Sequence, residues 1–346
     1  MKRIKKEPVR ISRNATIINQ SIVGQDHVTR GIVPYLDVFQ AGLNPEGRPA
    51  GIFLLMGPTG TGKTATVQAV ADAIHGNPKN ILRIDCGEYQ SDHEIAKFLG
   101  APPGYLGHRE TQPVINQMKL NQVMSERANI AIVLFDEVEK AAPALQRLLL
   151  GIMDRGILRL GDNTAVNFER TLIFMTSNLG AKAMARELRP SLGYEAVTGA
   201  KTEIDDIARF SEIGIAAAKK EFAPEFIGRI DAILTFQPLT RNHAETILAQ
   251  QLEKLANHIS RRLGERRVYL RVSRAAKDLL LDLGFSPEFG ARPLKTVLTK
   301  QILQPLASLI VAGAAAPGST VTCKVADGKI HLEPETETET TTAAAV

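Results

Sequence analysis

A glycine-rich segment that ends in a lysine and a threonine predicts a phosphate-binding loop. Residues 57–64 read GPTGTGKT and match G-x-x-x-x-G-K-[ST] at every fixed position. The glycines let backbone N–H groups surround a phosphate, and the helix that follows adds its dipole. We expect Lys63 to reach the β- and γ-phosphates and the Thr64 hydroxyl to bind Mg²⁺. The predicted nucleotide-binding residues of this loop are Gly57, Pro58, Thr59, Gly60, Thr61, Gly62, Lys63 and Thr64.

Two adjacent carboxylates follow a second apolar run further along the chain. Residues 132–140 read IVLFDEVEK, so Asp136 and Glu137 come directly after that run. We expect Asp136 to hold the magnesium through water and Glu137 to polarise the attacking water. Thr64 and Asp136 therefore form the predicted metal site. Together with the loop, these residues predict the binding and hydrolysis of a nucleotide, but not what the energy is used for.

The sequence around these motifs predicts the elements that must position them. Helical patterns such as 64–74 and 142–154 separate apolar runs that are typical of buried strands. Strands that alternate with helices indicate an α/β fold with a parallel sheet. The four apolar runs lie at 52–56, 80–86, 130–135 and 171–177.

The pattern changes after about residue 240 and indicates a second, smaller α+β unit. A long helical run at 243–263 precedes an alternating strand pattern at 268–273, and residues 320–333 fit a hairpin with an Asp-Gly turn. The predicted domains are a flexible basic arm at 1–20, a large domain at 21–240, a small, mostly helical domain at 241–333, and a disordered Thr/Glu/Ala tail at 334–346.

The distribution of charge argues against a nucleic-acid-binding face. The formal net charge is +5, and residues 1–13 carry six lysines or arginines and one glutamate, which accounts for all of it. The rest of the chain is neutral overall, so a broad basic surface is not predicted.

The sequence also favours a cytoplasmic protein. Its 44% apolar residues are ordinary for a globular chain, and its two cysteines, Cys86 and Cys323, fit a reducing compartment rather than a disulfide scaffold. The stretch 306–317 is the most apolar, and it is shorter than the roughly 20 residues of a membrane-spanning helix. No apolar signal segment follows the basic amino terminus.

From residue 21 to residue 333 the chain resembles the Clp-type AAA+ ATPases, above all the second ATPase ring of Clp chaperones and of protease unfoldase subunits. The resemblance implies a P-loop parallel sheet sandwiched by helices, a smaller lid domain, and ATP as the nucleotide. The segment SIVGQD at 21–26 resembles the part of the family that borders adenine, with Ile22 and Val23 as apolar contacts. TSN at 176–178 resembles sensor 1, whose Asn178 would orient water or touch the γ-phosphate.

Two arginines carry the resemblance further and imply a homo-hexamer. FAPEFIGRID at 222–231 resembles the arginine-finger segment, so Arg229 would reach the nucleotide of a neighbouring subunit. The family usually has Asn before this arginine, whereas this chain has Gly228, which we expect to loosen the loop. FGARPLK at 289–295 resembles sensor 2, with Arg292 closing over the phosphates. The catalytic residues implied by the resemblance are Lys63, Glu137, Asn178, Arg229 and Arg292.

A further segment resembles the axial-channel loop of the Clp family and implies what the ring acts on. GAPPGYLGHRE at 100–110 places Tyr105 and Leu106 among glycines. Copies of such a loop around a central hole could grip an extended chain by ring and shape contacts, without reading its sequence. The resemblance therefore implies an ATP-driven unfoldase that threads unfolded or tagged proteins. The family usually continues with Glu-Gly-Gly, whereas this chain reads RETQP, so the trailing edge of the loop departs from the family pattern.

A short apolar tripeptide indicates a candidate docking site for a peptidase partner. Leu192, Gly193 and Tyr194 resemble the exposed apolar-Gly-apolar motif with which Clp unfoldases dock onto the Clp peptidase. The chain itself shows no protease arrangement. The alternative interpretation is that Leu192 and Tyr194 fold onto their own domain. The basic arm or the acidic tail would be the place for an adaptor, or both are simply solvated ends.

Two other functions remain open at this stage. A AAA+ nucleic-acid motor needs basic channel loops or a DNA-binding module, which the neutral core does not offer. A switch that binds ATP and recruits a partner with little hydrolysis is disfavoured by the complete set of predicted catalytic residues. Simple unfolding is favoured over disaggregation with a partner chaperone, because the amino-terminal, first-ring and middle domains of larger relatives are not found in this sequence.

Overall fold

The computed structural model describes residues 13–100, 113–187, 203–286 and 289–334. The chain divides into two compact units. The first contains Met1–Pro58 and Gly62–Gln237, and the second contains Thr59–Thr61 and Pro238–Val346. The division falls close to the predicted boundary at residue 240.

Within these ranges, the structure contains ten strands and thirteen α-helices. The strands are β1 (Gly51–Met56), β2 (Leu82–Asp85), β3 (Ala131–Asp136), β4 (Ile157–Arg159), β5 (Ala165–Asn167), β6 (Thr171–Ser177), β7 (Ala232–Thr235), β8 (Tyr269–Val272), β9 (Thr320–Ala326) and β10 (Lys329–Pro334). The α-helices are α1 (Arg13–Ser21), α2 (Asp26–Gln40), α3 (Lys63–His75), α4 (Ile95–Leu99), α5 (Gln117–Gln122), α6 (Pro143–Arg155), α7 (Ala181–Glu187), α8 (Glu203–Glu221), α9 (Pro224–Ile227), α10 (Arg241–Leu263), α11 (Arg274–Gly284), α12 (Leu294–Leu298) and α13 (Gln304–Val311).

The first unit is built on a parallel five-stranded sheet in the order β2-β3-β6-β1-β7. Every residue of β1, β3 and β6 is buried, because helices and loops cover both faces of the sheet. The side chains of β1 divide between two apolar clusters. Ile52 and Leu54 belong to one cluster, and Phe53, which stacks on Phe174 of β6 at 4.9 Å, belongs to the other. The predicted α/β fold is confirmed.

Two elements of the first unit differ from the prediction. Helix α1 occupies residues that we predicted to be part of a flexible arm, and Ile18 on this helix is fully buried next to α3. Ile18 on α1 and Ile22, one residue past its end, pack into the same apolar cluster, so burial outweighs the basic sequence before the helix. The hairpin β4–β5 was not predicted. Each strand has three residues and buries one side chain, Leu158 or Val166.

The second unit combines helices with a three-stranded sheet in the order β10-β9-β8. The predicted hairpin is present between β9 and β10. Asp327 and Gly328 at its turn both have positive φ, 49° and 70°, as a two-residue primed turn requires. Helices α10, α11 and α12 pack with this sheet around a separate apolar core that includes Leu248, Leu280 and Cys323. The small α+β domain is therefore confirmed.

No helix within the described ranges is both long and apolar enough to span a membrane.

Candidate functional site

The predicted phosphate loop connects β1 to α3. Gly57, Gly60 and Gly62 have φ values of 138°, 77° and 109°, which lie in the region that side chains rarely adopt. A Cβ atom on Gly57 would lie 2.7 Å from the carbonyl oxygen of Phe236, so the close approach of β7 also requires glycine there. Gly62 is the N-cap of α3, and the sequence after it begins the helix with Lys63 and Thr64. The loop therefore has the backbone that a phosphate cradle needs.

Lys63 folds back over its own loop. Its Nζ atom donates to the carbonyl oxygens of Gly57 and Pro58, at 2.6 and 2.9 Å, and to Oδ1 of Asn178 at 2.9 Å. Three oxygen acceptors thus surround the ammonium group. Phosphate oxygens are acceptors of the same kind with more charge, so an incoming nucleotide can replace them.

Burial changes the acidity of this lysine. Desolvation lowers the pKa of Lys63 from 10.5 to about 8, while the nearby charges of Glu139, Asp136 and Glu137 act in the opposite direction. The carboxylates therefore stabilise the ammonium form of Lys63, whereas burial destabilises it.

Asp136 ends β3 and is held by donors from both neighbouring strands. Arg83 of β2 donates to Oδ2 at 2.6 Å, and the Thr176 hydroxyl of β6 donates to Oδ1. The register explains both contacts, because β3 lies between β2 and β6 and the carboxyl ends of the three parallel strands lie at one edge of the sheet. Asp136 is 9% exposed, so its charge is mostly removed from water and depends on these donors.

Glu137 adopts a left-handed backbone conformation, with φ 56° and ψ 50°. A non-glycine residue in this region carries strain of about 1–3 kcal/mol and persists where the surroundings impose it. Here the Thr176 hydroxyl accepts a hydrogen bond from the Glu137 N–H at 3.1 Å. The carboxylate forms an ion pair with Lys140 at 2.5 Å and remains partly exposed. The turn thus directs this carboxylate away from the apolar core.

Asn178 follows β6, the strand beside β1, as predicted from its position in the sequence. Its side chain accepts from Lys63, and its backbone N–H donates to Oε1 of Glu139 at 3.0 Å. The structure therefore brings Lys63, Asp136, Glu137 and Asn178 to the same edge of the sheet.

The segment predicted to border adenine lies between α1 and α2. Ile22 is 6% exposed and belongs to the core cluster that contains Phe53, whereas Val23 is partly exposed. Gln25 follows and exchanges two hydrogen bonds with the backbone of Gln237, at 2.9 and 3.0 Å. The segment is therefore tied to the end of β7, and the contact of Ile22 and Val23 with a base stays a prediction.

Arg229 is exposed just after α9 and forms an ion pair with Asp154 of α6 at 2.9 Å. Gly228 before it has φ −65° and ψ −12°, a conformation open to any residue, so the loop does not use the freedom of glycine that we expected there. Arg292 lies in the second unit, exposed, in the turn that precedes α12. The roles of both arginines stay predictions.

Several predicted positions lie outside the described residues. These are the channel-loop residues Tyr105 and Leu106 and the tripeptide Leu192, Gly193 and Tyr194.

The two cysteines behave as core residues. Cys86 and Cys323 are free and buried. Desolvation raises the pKa of the Cys86 thiol to about 12 and that of the Cys323 thiol to about 11, so neither is a ready thiolate nucleophile.

The residues present fit a nucleotide and a magnesium ion. The backbone loop and Lys63 offer donors for phosphate, and the Thr64 hydroxyl follows Lys63 in the first turn of α3. Among the described residues, no group of three or more His, Cys, Asp or Glu side chains could hold a metal. A single aspartate and a hydroxyl fit Mg²⁺, which keeps most of its waters and shares the phosphates of its nucleotide.

Three functional neighbours were not predicted from the sequence: Arg83, Thr176 and Glu139. Glu139 was visible in the segment DEVEK, two positions after Glu137, and Thr176 in the segment TSN. Neither carried a signal by itself, because their contacts depend on how β2, β3 and β6 are aligned.

Family models match most of the chain. A model described as "AAA domain (Cdc48 subfamily)" matches residues 48–233, and one described as "C-terminal, D2-small domain, of ClpB protein" matches residues 239–323. The two matches meet near the division between the compact units.

Curated relatives and a solved structure give the same result. The chaperone protein ClpB of Meiothermus ruber is 35% identical over 87% of this chain and 33% of that protein. Heat shock protein 104 of Schizosaccharomyces pombe is 32% identical over 96% of this chain and 34% of that protein, so the chain spans about a third of the length of these relatives. A closed-state cryo-EM reconstruction of Hsp104 with ATPγS and FITC-casein has a TM-score of 0.75 and 25% identity, and the match covers 93% of this chain and 51% of that chain.

Proposed function

The chain belongs to the Clp-type AAA+ ATPases, and we propose that it hydrolyses ATP in a hexameric ring to unfold polypeptides and thread them through a central pore. One observation carries the proposal. Lys63, the adjacent pair Asp136 and Glu137, and Asn178 come from three segments of the chain and meet at one edge of the parallel sheet of the first unit.

Binding of ATP exchanges the partners of Lys63. The ammonium leaves the carbonyl oxygens of Gly57 and Pro58 for the β- and γ-phosphates, and the loop N–H groups surround the phosphate chain. Thr64 and Asp136 are the residues that would hold Mg²⁺. The bound ion would neutralise charge that grows on the phosphoryl oxygens.

Hydrolysis requires the partners of Glu137 and Asn178 to change as well. Glu137 exchanges Lys140 for the attacking water, which it orients towards the γ-phosphate. Asn178 presents its amide to the same phosphate. Arg229 leaves Asp154 and reaches the nucleotide of the neighbouring subunit, and Arg292 closes over the phosphates of its own subunit.

Work on a polypeptide is assigned to Tyr105 and Leu106. Six copies of this loop would line the pore and grip an extended chain through ring and shape contacts. Support comes from the structural similarity to Hsp104, whose reconstruction contains casein. The proposed substrates are therefore unfolded or tagged proteins, and nucleic acid is not among them.

The central experiment measures steady-state ATP hydrolysis by the intact chain with and without unfolded casein. We expect casein to raise the rate, and Tyr105→Ala to remove this stimulation while leaving the basal rate and ATP binding unchanged. Tyr269→Ala, a change at a tyrosine 49% exposed in the second unit, is the matched control and should keep the stimulation. A basal rate that is robust but indifferent to casein, or stimulation that survives Tyr105→Ala, would contradict threading.

Two further measurements bear on other parts of the proposal. Salt-sensitive DNA affinity that persists after removal of residues 1–13 would favour a nucleic-acid motor instead.

Three statements stay predictions: a cytoplasmic location, an adaptor at either terminus, and docking of a Clp-type peptidase through Leu192, Gly193 and Tyr194. Co-sedimentation with a Clp peptidase, compared between the intact chain and Leu192→Ser, tests the last of these.

A further inference from the structure

Glu139 has no role in the function proposed so far, yet it forms a hydrogen bond with Asn178, the residue proposed to contact the γ-phosphate. It lies in the short helical turn after β3, three residues beyond Asp136. Its Oε1 atom accepts the backbone N–H of Asn178 at 3.0 Å. Its Oε2 atom is buried and has no hydrogen-bond partner among the described residues.

We propose that Glu139 is a positioning residue for ATP hydrolysis, which holds Asn178 in place opposite Lys63. The inference rests on the proposed ATPase function and adds a residue to it. Asn178 lies at the centre of the arrangement, because its backbone is bonded to Glu139 and its side chain to Lys63. The bond from Glu139 fixes the main chain from which the Asn178 amide projects.

The position of this hydrogen bond in the fold lets it fix the backbone of Asn178. Glu139 follows β3 and Asn178 follows β6, so the contact joins the ends of two adjacent parallel strands. When ATP draws Lys63 towards its phosphates, Asn178 loses a side-chain partner but keeps its backbone anchor. The amide therefore stays in a fixed position while the lysine moves, as a sensor of the γ-phosphate requires.

The second oxygen of Glu139 gives this contact a cost in stability. A cap needs one acceptor, and a neutral side chain would provide it without burying a charge. Glu139 instead keeps a buried carboxylate oxygen without a protein partner, an arrangement that costs stability. Such a departure from local stability is expected at a functional position.

The test separates hydrogen bonding from charge by two substitutions at the same position. Glu139→Gln keeps a side-chain oxygen that can accept the Asn178 N–H, whereas Glu139→Asp keeps the charge and shortens the reach. We expect Glu139→Asp to lower kcat for ATP about 100-fold, as a displaced reacting group does. Glu139→Gln should stay within about fivefold of the unchanged protein, and both variants should keep the KM for ATP within about threefold.

A double-mutant cycle checks that Glu139 acts through Asn178. If it does, Glu139→Asp adds no further loss of kcat to Asn178→Ala, because the amide that it positions is already absent. Glu253→Asp, at an exposed position on α10, is the control and should leave kcat unchanged. Thermal unfolding of each variant separates loss of fold from loss of rate.

The outcomes are distinct from those of the proposed function. If the unchanged protein has no ATPase activity, the proposed function fails. If the unchanged protein is active and Glu139→Asp has the same kcat, or if the losses of Glu139→Asp and Asn178→Ala multiply, the positioning role is overturned. A Glu139→Gln variant as slow as Glu139→Asp would also overturn it, because holding the Asn178 N–H would then not be enough to support the rate.

Discussion

The Nζ atom of Lys63 lies 2.9 Å from the Oδ1 atom of Asn178, although 115 residues separate them in the chain. The contact joins the phosphate loop after β1 to the end of β6, the strand beside it. A lysine held in this way is already oriented before a nucleotide arrives. The nucleotide then takes over a group that is already close to where it is needed.

Removal of the Lys63 ammonium should weaken nucleotide binding. We expect Lys63→Ala to raise the Kd for ATP about 10- to 100-fold, because charge-assisted hydrogen bonds to phosphate contribute about 1.5–3 kcal/mol. Titration of a fluorescent ATP analogue measures the change. Lys79→Ala, at an exposed lysine beyond α3, is the control and should bind as the unchanged protein does.

Nucleotide binding should take up a proton at alkaline pH. Because burial lowers the pKa of Lys63 to about 8, part of the nucleotide-free protein carries a neutral lysine above that pH, and phosphate restores the ammonium form. Calorimetry of ATP binding at pH 9 in two buffers of different ionisation enthalpy should reveal the uptake. Lys63→Arg, whose side chain stays charged, should show none. Equal proton uptake by the unchanged protein and by Lys63→Arg would contradict the lowered pKa of Lys63.

The same shift predicts how stability depends on pH. Between about pH 8 and pH 10.5 the unfolded chain binds a proton at Lys63 that the folded chain has lost. The contribution of Lys63 to the free energy of unfolding therefore increases as the pH rises through this range. Urea unfolding of the unchanged protein and of Lys63→Met at both ends of the range isolates this contribution. A smaller increase for the methionine variant is expected.

Glu137 should control the chemical step and not binding. We expect Glu137→Gln to lower kcat at least about 100-fold and to keep ATP affinity within about threefold, because the carboxylate acts on water and not on the nucleotide. Single-turnover hydrolysis and equilibrium binding measure the two effects. The variant should also retain ATP and stabilise the ring, visible by size-exclusion chromatography. A wild-type rate as slow as that of the variant would favour an ATP-binding switch.

Arg229 should act on a neighbouring subunit. Arg229→Ala and Lys63→Ala should each be inactive alone. In an equal mixture, about a quarter of the sites combine an intact Lys63 with a neighbour's intact Arg229, as a head-to-tail ring interface predicts. ATPase activity should therefore reappear on mixing. A mixture without activity would contradict an active site completed by the adjacent subunit.

Thr176 should stabilise the first unit through its two hydrogen bonds. It is 1% exposed, accepts the N–H of Glu137 and donates to Asp136. Thr176→Val keeps the shape and leaves buried partners unsatisfied, so we expect a loss of about 1–3 kcal/mol in the free energy of unfolding. Urea unfolding measures it, with Thr164→Val at an exposed position of the β4–β5 hairpin as the control. Equal stability of the two variants would count against this role.

Long, strongly patterned segments of the fold were predictable from the sequence. Local pattern is enough to recognise the apolar runs of β1, β3 and β6, because these strands are buried on both faces. It is also enough for the periodic segment of α10, because that helix is buried on one side. Short elements were not. Strands β4 and β5 bury one side chain each, which is too little pattern to recognise, and α1 was hidden beside a run of basic residues.

The sequence by itself determined which residues could bind a nucleotide: a glycine-rich loop that ends in Lys63 and Thr64, and Asp136 with Glu137 after an apolar run. These motifs are local, so their chemistry can be read without a fold. Only the tertiary structure decided which partners hold them. Arg83, Thr176 and Glu139 reach the site because the sheet places β2, β3 and β6 side by side, and that order depends on long-range burial that no local pattern contains.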